Sequence, residues 1–207
     1  MKNLSEALAI RKQKNLYRSR QVIDGPQGVE VRVDGTTYLS FCSNDYLGLA
    51  NHPQIVAAFH RGLDEYGAGS GAAHLISGHS RAHQQLEEEL AGFVQRPRAL
   101  LFSTGYMANL GVMQALLGHG DRVFQDRSNH ASLLDGARLS GARLVRYQHA
   151  DISDLETRMH AAPAGEYLLA TDGVFSMDGD VAPLAELAGA VAQHAVWLLV
   201  DDAHGLG

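Results

Sequence analysis

Lysine is almost missing from this 207-residue chain. Lys2, Lys12 and Lys14 are all it has, so no lysine nucleophile lies anywhere beyond residue 14. Cysteine is scarcer still. The single Cys42 excludes a disulfide framework, no Cys/His spacing suits zinc, and a reducing compartment fits. Basic charge is also in short supply. A formal net charge of −6 argues against a nucleic-acid backbone as the main partner. The N-terminus Met1-Lys-Asn-Leu-Ser-Glu6 has no apolar signal region, and no run is long and apolar enough to span a membrane. A soluble, cytoplasmic protein is expected.

What remains is enough for one ordinary domain with a full core. The only local basic cluster is Arg11, Lys12, Lys14, Arg18 and Arg20. It reads as a solvated helix face or as a contact for an anionic substrate. Leu4, Leu8 and Leu16 suggest an amphipathic N-terminal helix. Two alternating runs, Val29–Val33 and Thr36–Phe41, flank Asp34-Gly35 and predict a hairpin. Residues 1–47 are therefore expected to form an arm and hairpin, and residues 48–207 the larger domain.

From Asn51 the pattern changes. Pro53–Tyr66 and Ser80–Val94 read as helices around a Gly/Ala/Ser loop. Short apolar runs then alternate with helical stretches. The predicted strands are 99–103, 122–125, 143–147, 167–171 and 196–200. The predicted helices are 106–117, 131–139, 152–161 and 184–194. Such alternation implies an α/β domain with a mostly parallel sheet. No helix follows the last strand, so the domain is expected to be incomplete at its C-terminal end.

Chemistry-bearing residues gather at the ends of these predicted strands. Ser103-Thr-Gly-Tyr-Met-Ala-Asn109 is a strand-to-helix turn with glycine, either a phosphate cradle or an ordinary turn. His130, in Asp126-Arg-Ser-Asn-His-Ala-Ser132, either stacks on a planar ring or caps the next helix. Thr171-Asp-Gly-Val-Phe-Ser176-Met-Asp-Gly-Asp180 lacks the ligand spacing of a calcium loop, and a hydroxyl aimed at a ligand is favoured. Asp201 closes an apolar run and His204 follows it. Cofactors are held at such positions in sheets of this kind, and a buried acid needs a partner; a metal pair or a surface turn are the alternatives. Of the two adjacent acids, Asp202 is expected to be the more solvated. Two look-alike motifs carry little. Gly67-Ala-Gly-Ser-Gly71 and Gly78-His-Ser-Arg-Ala82 both lack the preceding strand that a dinucleotide fingerprint or a nucleophile elbow needs.

Ser43-Asn-Asp-Tyr-Leu-Gly-Leu49, Gly69-Ser-Gly71, His83–Leu90, Ser128-Asn-His-Ala-Ser132, Val174–Asp180 and Val200-Asp-Asp-Ala-His-Gly205 together resemble the α-oxoamine synthases. These are pyridoxal 5'-phosphate enzymes of the aspartate aminotransferase-like fold (fold type I). The resemblance runs along essentially the whole chain. It implies that Gly105 and Tyr106 hold the cofactor phosphate and that His130 stacks on the ring and serves in proton transfer. Ser176 and His204 would hydrogen-bond the cofactor, and Asp201 would pair with the ring nitrogen. Arg18 and Asn44, with His130, would contact substrate. No metal is implied.

Asp-Asp-Ala-His-Gly205 and Asp180-Val-Ala-Pro-Leu184 resemble most the branch that condenses L-alanine with a pimeloyl thioester of CoA or a carrier protein, with loss of CO2. A 2-amino-3-ketobutyrate ligase-like branch is the alternative. The family implies a homodimer. It also implies a Schiff-base lysine and a C-terminal domain that this sequence does not contain. The expectation is therefore an N-terminal half, a truncated large domain that is inactive alone and leaves apolar sheet surface exposed. A non-catalytic truncated product is the bland alternative.

Overall fold

The structure is a computed structural model that describes residues 3–194 and 196–206. Lys2 and Gly207 lie outside the described residues. The chain forms two compact units, Met1–Ser80 and Arg81–Gly207.

The first unit opens with helix α1, Leu4–Gln13, whose N-cap Asn3 accepts a hydrogen bond from the Glu6 amide. Strands β1 (Ile23–Asp24), β2 (Glu30–Val33) and β3 (Thr36–Leu39) make a small antiparallel sheet in that order. The β2–β3 turn is the expected Asp34-Gly35, at φ 48° and 78°. Positive φ at both positions is what a two-residue hairpin turn demands, and glycine meets it without strain. The two-residue β1 is too short to leave a pattern in the sequence. Helix α2, Pro53–Tyr66, starts on its proline and ends at Gly67. A π-helical turn, His74–Gly78, follows without any forewarning in the sequence. Among the described residues of this unit only Gly78 is buried.

The second unit begins with α3, Arg81–Phe93. It continues through α4 (Gly105–Leu116), β4 (Arg122–Asp126), α5 (Ala131–Ser140) and β5 (Arg143–Tyr147). It closes with α6 (Ile152–His160), β6 (Tyr167–Asp172), α7 (Leu184–His194) and β7 (Trp197–Asp201). The sheet order is β5-β4-β6-β7, and every pair is parallel.

Alternation along the strands sorts the core into two layers. Val123, Leu168 and Ala170 pack with Met113, Leu117, Leu133 and Ala137 of the α4 and α5 side. Phe124, Tyr147 and Leu169 pack with Leu155, Met159, Leu187 and Val191 of the α6 and α7 side. Both faces are covered by helices, as parallel sheets require. The α4–α5 approach is close. A Cβ on Gly136 would stand 2.9 Å from Met113 Sδ and 3.0 Å from the Asn109 carbonyl oxygen.

One expected element is absent. Residues 99–103 form no strand. Leu100 is 73% and Phe102 40% exposed, and the Leu101 amide donates to the Glu87 carboxylate at 3.0 Å instead of to a ladder. An apolar run reports side chains that suit a sheet, but a strand exists only where another strand satisfies its backbone. Among the described residues the edge strand β7 pairs only with β6, and Trp197 is 57% exposed. No helix among the described residues is long and apolar enough to cross a membrane.

Candidate functional site

The carboxyl ends of β4, β6 and β7 and the start of α4 surround one cleft of about 120 Å³. Gly105, Tyr106, His130, Ser132, Asp172, Ser176, Asp201, Ala203 and His204 line it. All six residues expected to hold a cofactor are therefore brought together. Arg18 and Asn44 belong to the first unit, where both are exposed. Asn44 Oδ1 there accepts from the Tyr46 hydroxyl at 3.4 Å.

The α4 N-terminus faces this cleft with two spare donors. Thr104 caps the helix, its side chain accepting from the Met107 amide at 3.1 Å, and the Ala108 amide reaches the Thr104 carbonyl. That leaves the Gly105 and Tyr106 N–H groups, which have no acceptor among the described residues. Nothing lies within 4 Å of where a Gly105 Cβ would project. Two unsatisfied N–H groups at the positive end of a helix form an anion site. The Tyr106 hydroxyl turns away to Asp135, and that hydrogen bond raises the phenol above its ordinary pKa.

Asp201 is held on both oxygens. Oδ2 accepts from Asn109 Nδ2 at 2.7 Å and Oδ1 from the Ala203 amide at 3.1 Å. It is half-buried, whereas Asp202 is exposed, as expected. The Asn109 amide group is itself buried and also donates to Ser132 Oγ at 2.9 Å. Ser132 Oγ lies 2.7 Å from His130 Nδ1. A chain of contacts thus runs from Asp201 through Asn109 and Ser132 to the histidine ring.

His130 does cap the next helix, since Nδ1 accepts from the Ser132 amide. Nδ1 therefore carries a lone pair, and in the neutral ring the proton sits on Nε2. The His130 amide donates to Asp172 Oδ2 at 2.7 Å. Asn129 fixes the loop before it, donating to the Ala170 carbonyl at 2.8 Å and accepting from the Asp172 amide at 3.2 Å. Burial, with Asp201 close by, raises the Asp172 carboxyl above its ordinary pKa.

Ser132 and Asp172 line the same cleft and Asn109 contacts Asp201, and sequence reasoning singled out none of the three. Asp172 ends β6 and could have been read as a further strand-end group. Asn109 and Ser132 sit within helices, and only the packing of α4 on α5 gives them a role.

The donor set suits a flat, phosphorylated pyridine. It offers two free amides for a phosphate, a fixed carboxylate for a protonated ring nitrogen, and imidazole and hydroxyl groups in the same lining. The cleft is smaller than the ~300–1,000 Å³ usual for ligand pockets, so these residues alone do not enclose such a molecule.

Comparison with known proteins agrees. Residues 36–207 match the family Aminotransferase class I and II. An 8-amino-7-oxononanoate synthase of Thioalkalivibrio sulfidiphilus is 62% identical over 208 residues, 100% of this chain and 53% of the relative. A serine palmitoyltransferase from S. paucimobilis, solved with a bound PLP–myriocin aldimine, superposes with a TM-score of 0.87 at 30% identity. That match covers 95% of this chain and 50% of the other. An 8-amino-7-oxononanoate synthase from Francisella tularensis superposes with a TM-score of 0.65 at 36% identity, over 77% of this chain and 43% of the other. The chain spans about half the length of the curated relatives it matches.

Proposed function

The chain belongs to the class I and II aminotransferase family, and from that premise we propose that it carries the cofactor-holding half of an 8-amino-7-oxononanoate synthase. The proposed reaction is the decarboxylative condensation of L-alanine with a pimeloyl thioester, a cytoplasmic step of biotin synthesis. The observation that carries this reading is the cleft: two spare amides at Gly105 and Tyr106 stand with a doubly held Asp201 carboxylate.

Pyridoxal 5'-phosphate, when bound, supplies an electron-withdrawing ring that stabilises negative charge at an amino-acid α-carbon. The residues of this chain are proposed to hold and orient it. Gly105 and Tyr106 bind the phosphate through their N–H groups. Asp201 holds a proton at the ring nitrogen and is kept aimed there by Asn109. Ser176 and His204 orient the ring by hydrogen bonds. His130, its Nδ1 engaged by Ser132, presents Nε2 for proton transfer and its ring for stacking. Arg18 and Asn44 are proposed to contact the acyl substrate. Residues 1–47 are proposed to act as the arm and residues 48–207 as the cofactor domain. A homodimer is part of the proposal.

No lysine stands in the second unit. The chain by itself is therefore proposed to bind the cofactor without a covalent anchor and to be inactive. With L-alanine and pimeloyl-CoA it should release no thiol above the protein-free rate. Joined to the remaining half of the T. sulfidiphilus relative, it should release CoA with L-alanine in preference to glycine. A preference for glycine, or turnover by the chain alone, would overturn the corresponding part of the proposal.

A further inference from the structure

One titratable cluster of the second unit lies outside the cleft lining. His149, just beyond β5, stands between two carboxylates. Its Nδ1 is 2.9 Å from Asp126 Oδ1 and its Nε2 is 2.8 Å from Asp180 Oδ2. Asp126 is buried at the end of β4, and both its oxygens also accept backbone hydrogen bonds, from Ser128 and Ala150 at 2.8 Å each. An ionised carboxylate only accepts, so a ring with a carboxylate at each nitrogen must donate twice. Neutral imidazole has one N–H. With both carboxylates ionised, the geometry therefore calls for the imidazolium.

Asp180 belongs to a tight hairpin. Val174 and Val181 form an antiparallel bridge, the Phe175 amide donates to the Asp180 carbonyl at 2.9 Å, and the Gly179 amide donates to the Phe175 carbonyl at 2.8 Å. The Asp180 side chain has no other partner among the described residues, and its Oδ1 is buried without one. On the opposite limb, the buried Phe175 ring meets the His149 ring edge-on at 4.6 Å. His149 thus grips both limbs. The residue after Phe175 is Ser176, which lines the cleft.

We propose that His149 is a positioning residue: as an imidazolium it ties the 174–181 hairpin to the end of β4 through Asp180 and Asp126, and so sets where Ser176 stands in the cleft. The latch follows from the cluster's own geometry. Its consequence for a ligand rests on the cofactor reading above.

Nitrogen-15 spectra of the histidine-labelled chain test the latch directly. Both His149 ring nitrogens should be protonated at neutral pH, and a ring with one bare nitrogen would overturn the proposal. Amide exchange tests the hairpin. In His149→Gln and in the milder Asp180→Asn, exchange at Phe175 and Gly179 should speed up about tenfold while Leu168–Ala170 of β6 hold. Unchanged hairpin exchange, or an equal loss in β6 with Asp180→Asn, would overturn it. Positioning is read by a double-mutant cycle on pyridoxal phosphate affinity. Asp180→Asn should weaken binding severalfold in the parent chain and not in a Ser176→Ala background. The same loss in both backgrounds would contradict action through Ser176. If the parent chain binds no pyridoxal phosphate, the functional reading fails while the exchange result still decides the latch.

Discussion

Asp201 shows how far one side chain depends on its neighbours. A carboxylate at a strand end is an acceptor with no fixed aim, and Asn109 gives it one at 2.7 Å. Charge-assisted hydrogen bonds of this kind contribute about 1.5–3 kcal/mol, and a neutral replacement forfeits that. Asp201→Asn should therefore weaken pyridoxal phosphate binding at least about tenfold, and Asn109→Ala by less, both measured by equilibrium dialysis. His149 makes a different prediction, in pH. Hydrogen bonding to Asp126, ahead of the other contributions, raises its pKa above the ordinary value near ~6.5. The groups facing it are Asp126 from β4 and Asp180 from the hairpin, and the Phe175 ring meets it edge-on. A raised folded-state value means the stabilisation is complete below about pH 6.5 and is lost as pH rises through the folded value. The midpoint difference between the parent chain and His149→Gln in urea should accordingly be larger at pH 6 than at pH 9. A difference that grows with pH would refute the cationic assignment.

At the scale of elements, the cleft depends on how closely α4 approaches α5, since that approach brings Asn109 onto Ser132. Gly136 permits it. Gly136→Val would drive carbon into Met113 Sδ and the Asn109 backbone, and overpacking of this kind costs about 1–3 kcal/mol. Urea denaturation should show the loss as a lower midpoint with an unchanged slope. Much of the element pattern is legible in the sequence because it is local. Arg143–Tyr147 and Leu184–His194 have the bounds their periodicity predicts, and the hairpin turns on Asp34-Gly35. Residues 99–103 are misread because a strand is a relation between segments. The π-helical turn at His74–Gly78 has no pattern of its own to read. The site divides the same way. Strand-end groups such as His130, Ser176 and Asp201 announce themselves in the chain. Asn109 is tied to Asp201 across 92 residues of sequence and to Ser132 across 23, and only the packed layers bring them together.

The whole molecule carries a parallel sheet covered by helices on both faces and a cleft at its strand ends, yet the three lysines all fall within its first 14 residues. The cleft is proposed to hold pyridoxal phosphate through Gly105, Tyr106, His130, Ser176, Asp201 and His204 without a covalent anchor. The most direct test is phosphorus-31 and amide NMR of the chain titrated with pyridoxal phosphate, with Lys2, Lys12 and Lys14 replaced by arginine to silence adventitious imines. Saturable binding that shifts the Gly105 and Tyr106 amides, and that Asp201→Asn weakens at least about tenfold, is the predicted result. Binding that leaves those two amides unmoved, or that is indifferent to Asp201→Asn, would contradict it.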